Sequence, residues 1–466
     1  MSARLADLFP EAAGPAGELT VSDLTADSRQ VATGTVFVAV PGTKADGRRF
    51  AAQAAQRGAA AVAGPVLAVP EAGVDPVLTA MVRLGAAARA RTRAQVVAVT
   101  GSVGKTGTKE ALRHVLSEQG ETHASAASYN NHWGVPLTLT RMPRSARYGV
   151  FEIGMNHGAE IVPLTAQVRP DIALITTIAP AHIEHFASLA AIADAKGEIF
   201  SGLQPGGVAI LNRDVEHFDR LVAHAQASRA GRVVTFGEHP DSDVRALKIV
   251  LRPDLSVIDA VVMGQPVTYK LGTAGRHAAL NSLGVMAVVH SLGADLARAA
   301  LSLGGLTPPA GRGERTALEI GGGTAYLVDE SYNANPVAVR AALATLAGIE
   351  TGPRGRRIAV LGDMLELGAA APDLHRGLAE AIEAARVDLV FTAGPLMRNL
   401  FEALPVSRRG AVADTATDLL EPLARTLRSG DAVMVKGSNG SRMGPIVEAL
   451  KARYAVDPTR RTQAVP

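Results

Sequence analysis

A Gly-rich segment that contains a Gly-Lys-Thr triplet has the residue types and spacing best suited to chemistry in this sequence. The segment runs from Val96 to Leu116 and reads VVAVTGSVGKTGTKEALRHVL. It begins with an apolar run typical of a buried strand, continues as a turn of small residues, and ends with apolar positions at helical spacing. Free N–H groups and the dipole at the start of a helix favour a bound anion. The segment therefore predicts a phosphate-binding loop.

The triplet indicates what the loop binds. Lys105 can reach the outer phosphates of a nucleotide, and the Thr106 hydroxyl is suited to Mg²⁺. The pattern departs from the common one at Val99, where a glycine is usual. A turn that only starts a helix is the alternative, but strand, turn and helix in this order favour a nucleoside triphosphate. We expect the nucleotide to contact Gly101, Ser102, Val103, Gly104, Lys105, Thr106 and Gly107.

A carboxylate and two imidazoles follow strand-like runs in the middle of the chain. Glu152 ends the apolar run of VFEIGMNHG, where it is either a Mg²⁺ ligand near the phosphate loop or a surface residue. TTIAPAHIEHF contains His182 and His185, but no third strong ligand is spaced as a zinc site requires. We therefore expect His182 to contact Mg²⁺ or phosphate, and His185 to be a surface residue.

Other polar groups have less specific patterns. Lys196 lies on a predicted helix, where lysines are usually solvated. Asn130 and Asn131 belong to the loop NNHWGVP, and loops of this type usually carry binding groups. His277 and Asn281 are one helical turn apart, so they either face one ligand together or are two exposed polar residues at a helix start.

A further polar loop, VDESYNANP, follows a strand-like run in the last third of the chain. Its side chains could hold a ribose or a substrate amine, and an Asx-rich turn ended by a proline is an equally good interpretation. The candidate residues of this loop are Asp329, Glu330, Asn333 and Asn335.

Composition and charge exclude several classes of protein. The chain has 466 residues, 47% of them hydrophobic, and no cysteine, which excludes disulfides and thiolate metal sites. The net charge is +3, but basic residues are scattered and only 4% of residues are aromatic, so nucleic acid is a poor partner. No apolar run approaches the length of a membrane span, and the N-terminus lacks a charged-then-apolar leader, so we expect no export signal. We expect a cytoplasmic protein, and a monomer.

The order of apolar runs predicts three α/β domains. Residues 1–93 form a small unit, and an Arg-rich stretch leads from it into the phosphate-loop strand. Residues 94–311 alternate strand-like and helix-like runs, which argues for a mostly parallel sheet covered by helices. A cluster of Pro and Gly then precedes residues 312–466, which read as another doubly wound unit. In such units ligands bind at the carboxyl ends of the strands.

Several long motifs together resemble those of the Mur ligase family, the ATP-dependent amide-forming enzymes of peptidoglycan assembly. The phosphate loop TGSVGKT has the family's form. The resemblance spans nearly the whole chain and is carried by NNHWGVP, EIGMNHGAEI, AHIEHF, AKGEIFSGL, DESYNANP and GDMLELG. These motifs occur in the family's order, which makes a chance agreement improbable.

The resemblance implies a fold, an activity and its partners. The fold would comprise a small N-terminal α/β domain, a central P-loop ATPase-type domain with a mostly parallel sheet, and a C-terminal Rossmann-like α/β domain. The motifs are most similar to those of the member that joins D-alanyl-D-alanine to the C-terminal carboxylate of UDP-N-acetylmuramoyl-tripeptide. ATP and Mg²⁺ would be the cofactors, and the reaction would pass through an acyl phosphate.

The resemblance also implies roles for individual residues. Ser28 and Arg29 of the first domain would contact the uridine nucleotide, and Mg²⁺ would lie near Thr106, Glu152 and His182. Lys196 would be carbamylated and help hold a second Mg²⁺, which reverses its interpretation as a solvated lysine. The remaining expected contacts are adenine with Asn281, phosphate with Arg312, ribose with Asp329 or Glu330, and the dipeptide with Asn333 and Asn335. The catalytic set would be Lys105, Lys196 and His182, and Asn130 and Asn131 would belong to the substrate site.

Two alternatives remain at this level. A related ligase with another amino substrate, such as a folylpolyglutamate or other muramyl-peptide enzyme, would share the ATP machinery. A P-loop ATPase acting as a switch or motor would keep Lys105 and Thr106 but would hydrolyse ATP without a carboxylate acceptor.

Overall fold

The structure is a computed structural model that describes residues 3–8, 14–40, 46–59, 61–63, 76–126, 128–181 and 183–455. In these ranges the N-terminal unit has a parallel sheet of order β3-β4-β5 and an antiparallel pair, β1-β2. The strands are β1 Ala3–Arg4, β2 Thr20–Val21, β3 Asp23–Thr25, β4 Thr35–Val38 and β5 Ala61–Ala63. The helices are α1 Leu5–Leu8, α2 Ala51–Gln56 and α3 Pro76–Arg91.

The helix α3 ties the N-terminal unit to the rest of the molecule. Arg89 in its last turn is buried and donates hydrogen bonds to the carbonyls of Val168 (2.8 Å) and Arg169 (2.7 Å). Met81 packs with Leu137 in a core that also contains strands of the small sheet. The Arg-rich stretch that the sequence predicts as a domain boundary therefore also attaches the N-terminal unit to the central unit.

The central unit contains a mixed sheet of order β14-β13-β12-β11-β10-β9-β6-β8-β7 in the described part of the chain. Strands from β7 to β12 in this order are parallel, and the β12-β13-β14 end is antiparallel. The strands are β6 Gln95–Thr100, β7 Thr122–Ala124, β8 Tyr148–Glu152, β9 Ile172–Ile175, β10 Gly207–Asn212, β11 Ala230–Gly237, β12 Val244–Leu251, β13 Ser256–Val262 and β14 Gln265–Leu271. The helices are α4 Lys105–Ser117, α5 Gly134–Thr140, α6 Ile161–Val168, α7 Leu189–Gly197, α8 Phe218–Gln226, α9 Arg276–Ser291 and α10 Leu296–Leu303.

Strand β6 is buried on both faces, as its apolar run predicts. Val97 and Val99 belong to one hydrophobic core, and Val96 and Ala98 belong to the core on the opposite face. The chain leaves β6 toward β8 on one side and returns as β9 on the other, so a crevice opens beyond the carboxyl end of β6.

The C-terminal unit has a sheet of order β15-β16-β20-β17-β18-β19 within the described residues, parallel except for the β15-β16 pair. The strands are β15 Glu314–Ile320, β16 Gly323–Glu330, β17 Arg357–Gly362, β18 Leu389–Ala393, β19 Arg409–Ala413 and β20 Ala432–Lys436. The helices are α11 Pro336–Ala347, α12 Ala371–Arg376, α13 Leu378–Ala384, α14 Arg398–Ala403, α15 Leu420–Thr426 and α16 Gly444–Arg453.

The predicted fold class is confirmed: a small α/β unit, a central sheet that is mostly parallel, and a Rossmann-like C-terminal unit follow in order. The predicted boundary after residue 93 falls between α3 and β6, and the one after residue 311 falls between α10 and β15. Both boundaries stay predictions. No helix in the described ranges is long and apolar enough to cross a membrane.

Candidate active site

The Gly-rich loop joins β6 to α4, and the first N–H groups of a helix have no acceptor within the helix. Gly104 precedes α4 with φ of 87°, a left-handed conformation that favours glycine. Lys105 folds back over the loop and donates a hydrogen bond of 2.6 Å from Nζ to the carbonyl of Gly101. This geometry is suited to binding a phosphate at the start of the helix.

Thr176, the residue after β9, contacts the phosphate loop. Its Oγ1 donates to the carbonyl of Val103 at 2.6 Å and would lie 1.9 Å from a Cβ added at Gly101. Gly101, with φ of 148°, is therefore required both for its backbone conformation and for this close approach. Ser102 is bound to the same segment, because its Oγ accepts a hydrogen bond of 3.0 Å from the N–H of Ala179.

Asn281 covers the loop from the other side. It lies on α9, and its Nδ2 would be only 2.2 Å from a Cβ at Gly104. His277, one helical turn earlier, lines the same cavity, so the two residues face one space as their spacing predicts. Burial lowers the pKa of His277 and keeps its ring neutral.

A buried carboxylate stands beside the loop at the end of β8. Glu152 is 1% exposed and pairs in register with Val99 of β6. Its Oε2 accepts a hydrogen bond of 2.8 Å from Thr106, and its Oε1 accepts one of 2.7 Å from Asn130. The interpretation of Glu152 as a surface residue is therefore wrong.

These oxygen donors fit a hard divalent cation. The Thr106 hydroxyl and the Glu152 carboxylate are adjacent, and carboxylates with hydroxyls or waters are the ligands Mg²⁺ prefers. In the parts of the chain that the structure describes, no three His, Cys, Asp or Glu residues form a metal-binding group. Mg²⁺ commonly completes its octahedron with waters and substrate phosphates, so two protein donors suffice. His182 lies outside the described residues.

Lys196 is buried although it lies on the helix α7. It is 2% exposed, and its Nζ has no hydrogen bond or ion pair with any residue that the structure describes. Burial, followed by the charge of Lys105, places the pKa of the Lys196 amine well below its ordinary value. The interpretation from pattern alone, a solvated lysine, is wrong.

Arg312 approaches the phosphate loop from the connection that leads into β15. Its Nη2 donates to Ser128 Oγ at 3.2 Å, and its guanidinium lies 4.1 Å from the centroid of the Tyr332 ring. Ser128 Oγ is also 3.2 Å from the Thr106 hydroxyl. Burial mainly, with a smaller contribution from Arg312, lowers the pKa of Lys105.

The C-terminal unit supplies the opposite wall, and here the two acidic residues of DESYN have different surroundings. The Asp329 carboxylate accepts hydrogen bonds from Gly311 N–H (3.2 Å) and from Ser331 N–H (3.0 Å) and Oγ (2.6 Å), so it fixes the connection between units. Glu330 instead lines the cleft and pairs with Lys436 at 3.0 Å.

The two asparagines of this loop line the same cleft. Asn333 Oδ1 accepts a hydrogen bond from Ala334 N–H at 2.9 Å, and Asn335 caps α11 by accepting one from Ala338 N–H at 2.8 Å. The Asx-turn interpretation thus describes the local structure of the loop. Both asparagines line the cleft, and their role in binding substrate stays a prediction.

The cleft between the central and C-terminal units has a volume of about 690 Å³. The site residues predicted from the sequence that line this cleft are Ser102, Val103, Gly104, Lys105, Thr106, Gly107, Asn130, Glu152, Asn281, Arg312, Glu330, Asn333 and Asn335. Gly101, Lys196 and Asp329 do not line it.

Three predicted substrate residues lie elsewhere among the described residues. Ser28 donates to Gln53 Oε1 at 2.9 Å, and Arg29 is paired with Asp27 at 2.8 Å on the surface of the N-terminal unit. Asn131 Oδ1 accepts hydrogen bonds from the Trp133 and Gly134 N–H groups, next to the start of α5. Their substrate roles stay predictions.

Sequence reasoning missed Ser128 and Thr176, whose hydroxyls organise the loop. A lone hydroxyl has no diagnostic spacing. The only available signal was that Thr176 directly follows a strand in TTIAP and that Ser128 precedes NNHWGVP.

The fold and the site define a P-loop nucleotide-binding enzyme whose cleft is shared by two α/β domains. Comparisons with known proteins specify the class further. The models of the Mur ligase family match residues 20–104 (Mur ligase family, catalytic domain), 99–289 (Mur ligase middle domain) and 311–439 (Mur ligase, glutamate ligase domain). The chain belongs to the Mur ligase family.

Relatives and solved structures agree with this assignment. UDP-N-acetylmuramoyl-tripeptide–D-alanyl-D-alanine ligase of Escherichia coli K12 is 34% identical over 93% of this chain and 94% of its own length. The enzyme of the same name from Bacillus subtilis 168 is 31% identical over 94% of this chain and 95% of its own. The crystal structure of MurF from Acinetobacter baumannii superposes with a TM-score of 0.79 at 27% identity, covering 93% of this chain and 94% of that one.

Proposed function

We propose that this protein is an ATP-dependent ligase that joins D-alanyl-D-alanine to the C-terminal carboxylate of UDP-N-acetylmuramoyl-tripeptide. The observation that carries the proposal is the shared cleft, in which the phosphate loop with Thr106 and Glu152 faces Lys436, Asn333 and Asn335 of the C-terminal unit. Relatives that bear this activity in their names match along more than nine-tenths of the chain.

The chemistry explains why a phosphate site is needed for amide formation. A carboxylate is a poor electrophile, because its leaving group would be oxide. An oxygen of the tripeptide carboxylate attacks the γ-phosphorus of ATP, ADP leaves, and an acyl phosphate forms. The dipeptide amine then attacks the acyl carbon, loses a proton, and expels inorganic phosphate. The protein's contribution is mainly positioning and charge neutralisation.

The nucleotide would lie along the phosphate loop. Lys105 and Arg312 are the cations on this side of the cleft, and both would neutralise charge on the transferred phosphoryl group. Asn281, above Gly104, would contact the adenine. Between the two acidic candidates for the ribose, the lining position of Glu330 favours Glu330 over Asp329.

Mg²⁺ would be held by Thr106 and Glu152, with His182 as a further ligand. When bound, the cation neutralises phosphate charge during transfer. Asn130 orients Glu152 through its hydrogen bond to Oε1. Lys196 would be carbamylated, because a buried amine with a strongly lowered pKa is neutral and can add CO₂. The resulting carbamate would supply a second anionic ligand.

The substrates would enter from different domains. Ser28 and Arg29 would bind the uridine nucleotide, Asn130 and Asn131 would face the tripeptide, and Asn333 and Asn335 would seat the dipeptide. Closure of the two larger domains would exclude water that hydrolyses the acyl phosphate. We further propose that the enzyme acts as a monomer in the cytoplasm.

The test is a coupled assay of ADP release with purified protein. We expect turnover with ATP, Mg²⁺, UDP-N-acetylmuramoyl-tripeptide and D-alanyl-D-alanine together, and only background release when either acceptor is omitted. Full-rate hydrolysis without acceptors would indicate a P-loop ATPase. Turnover with a different amine, but not with D-alanyl-D-alanine, would indicate a related ligase.

A further inference from the structure

The cations that line the described cleft are divided between its two walls. Lys105 and Arg312 stand at the phosphate loop, whereas Lys436 stands at the end of β20 in the C-terminal unit. The first two are opposite the phosphates of the nucleotide in the proposed function. Lys436 is paired with Glu330, but no anionic group of a substrate is yet assigned to it.

The surroundings of Lys436 fix its position. Its side chain is 4% exposed, and β20 places it directly opposite Glu330 in the register of the sheet. Nζ donates to Glu330 Oε2 at 3.0 Å and to the carbonyl of Asn333 at 3.0 Å. An ammonium has three N–H donors, and the third has no partner among the residues that the structure describes. A rigid cation thus offers one donor at the cleft.

The proposed reaction requires such a donor. The tripeptide carboxylate is consumed by phosphorylation, but the carboxylate at the far end of the dipeptide does not react and enters the cleft with its charge. A buried carboxylate needs a cation and hydrogen bonds to offset its lost hydration. The Asn333 carbonyl that holds Lys436 belongs to the loop leading into α11, whose N-terminus also favours negative charge.

We propose that Lys436 binds the C-terminal carboxylate of the incoming dipeptide and so selects an amine substrate with a free carboxylate. The proposal rests on the proposed function and adds a specificity-determining residue to it. Glu330 holds the ammonium in place and keeps the pair neutral before the substrate arrives.

The experiment compares D-alanyl-D-alanine with D-alanyl-D-alaninamide, which lacks the charge, at saturating ATP and UDP-tripeptide. We expect the wild type to show a kcat/KM at least about 30-fold higher for the acid, because a site built for a charged group rejects the analogue that lacks it. In Lys436→Met the value for the acid falls by at least about 30-fold. The value for the amide changes little, so the preference disappears.

Lys248→Met, which removes an exposed lysine on β12, is the matched control and keeps the wild-type preference. The proposal is overturned if Lys436→Met keeps the preference, or if its loss appears in the KM for ATP with the KM for the dipeptide unchanged. It is also overturned if the wild type uses the amide as well as the acid, a result that does not depend on any variant folding. If the wild type releases ADP at full rate without the dipeptide, the proposed function is overturned, and the proposal for Lys436 with it.

Discussion

The Thr106 hydroxyl donates a hydrogen bond of 2.8 Å to the carboxylate of Glu152. The two residues are 46 positions apart in the chain, and the pairing of β6 with β8 brings them together. This contact joins the phosphate loop to a buried anion, and the proposed Mg²⁺ site depends on it.

Removing the charge of Glu152 should therefore weaken Mg²⁺ binding. In Glu152→Gln we expect the Mg²⁺ concentration for half-maximal ADP release to rise at least about tenfold, because a neutral amide is a poorer ligand of a hard cation. A Mg²⁺ titration at saturating substrates measures this. Glu118→Gln, on the exposed C-terminal end of α4, is the control and should match the wild type. An unchanged Mg²⁺ requirement in Glu152→Gln would contradict the assignment.

Lys196 should be essential as an amine that reacts with CO₂. We expect Lys196→Ala and Lys196→Arg to lose most activity, since neither side chain forms the carbamate. Depletion of bicarbonate should lower wild-type turnover, and its return should restore it. The measurement is ADP release in CO₂-free buffer with and without added bicarbonate. Normal turnover by Lys196→Ala would rule out the carbamate.

Gly104 should tolerate no side chain. Its φ of 87° is strained for alanine, and the new Cβ would lie 2.2 Å from Asn281 Nδ2. We expect Gly104→Ala to bind ATP at least about tenfold more weakly by isothermal titration calorimetry. Gly348→Ala, with φ of −78° and no atom closer than 3.4 Å to the new Cβ, should bind ATP as the wild type does. Equal affinities of the two variants would mean that the loop does not hold the nucleotide.

His375 should make the protein less stable in mild acid. Its Nε2 accepts a hydrogen bond from Met364 N–H at 2.9 Å and its Nδ1 donates to the carbonyl of Ala371 at 2.6 Å, so the fully buried ring is neutral. Burial lowers its pKa below the ordinary 6.5, although Asp363 acts in the opposite direction. At a pH between the lowered pKa of the folded protein and the ordinary pKa of the unfolded chain, the unfolded chain binds more protons. Stability therefore falls as the pH drops below about 6.5 and is flat above it.

The slope from one such group is at most about 1.4 kcal/mol per pH unit. His375→Gln can keep both hydrogen bonds without titrating, so its unfolding free energy in urea should fall less than that of the wild type between neutral and mildly acidic pH. His123 and His277, whose pKa values burial also lowers, keep part of the slope in both proteins. Identical slopes would show that His375 does not contribute.

The sequence alone could predict the fold class and the phosphate loop, because both rest on local patterns. The apolar run of β6 is buried on both faces, and Glu152 lies at a strand end where the parallel-sheet rule places ligands. The Asx-turn interpretation of VDESYNANP also follows from residue type.

Features that depend on packing could not be predicted in this way. A lysine on a helix reads as solvated, and only the position of α7 against the central sheet buries Lys196. Asp329 and Glu330 are neighbours in the sequence, but side chains alternate between the two faces of β16. The Asp329 carboxylate therefore binds the segment that joins the central and C-terminal units, whereas Glu330 lines the cleft. The pairing of Lys436 with Glu330 requires two strands that are about 100 residues apart to lie side by side.

Transfer of ¹⁸O from the tripeptide carboxylate to inorganic phosphate tests the proposed reaction most directly. In a complete reaction with carboxylate-labelled UDP-N-acetylmuramoyl-tripeptide, one labelled oxygen should leave with each phosphate released, because the acyl phosphate breaks between carbon and oxygen. Mass spectrometry of the phosphate then gives the answer. Amide formation with unlabelled phosphate, or phosphate release at full rate without any acceptor, would contradict the acyl-phosphate mechanism.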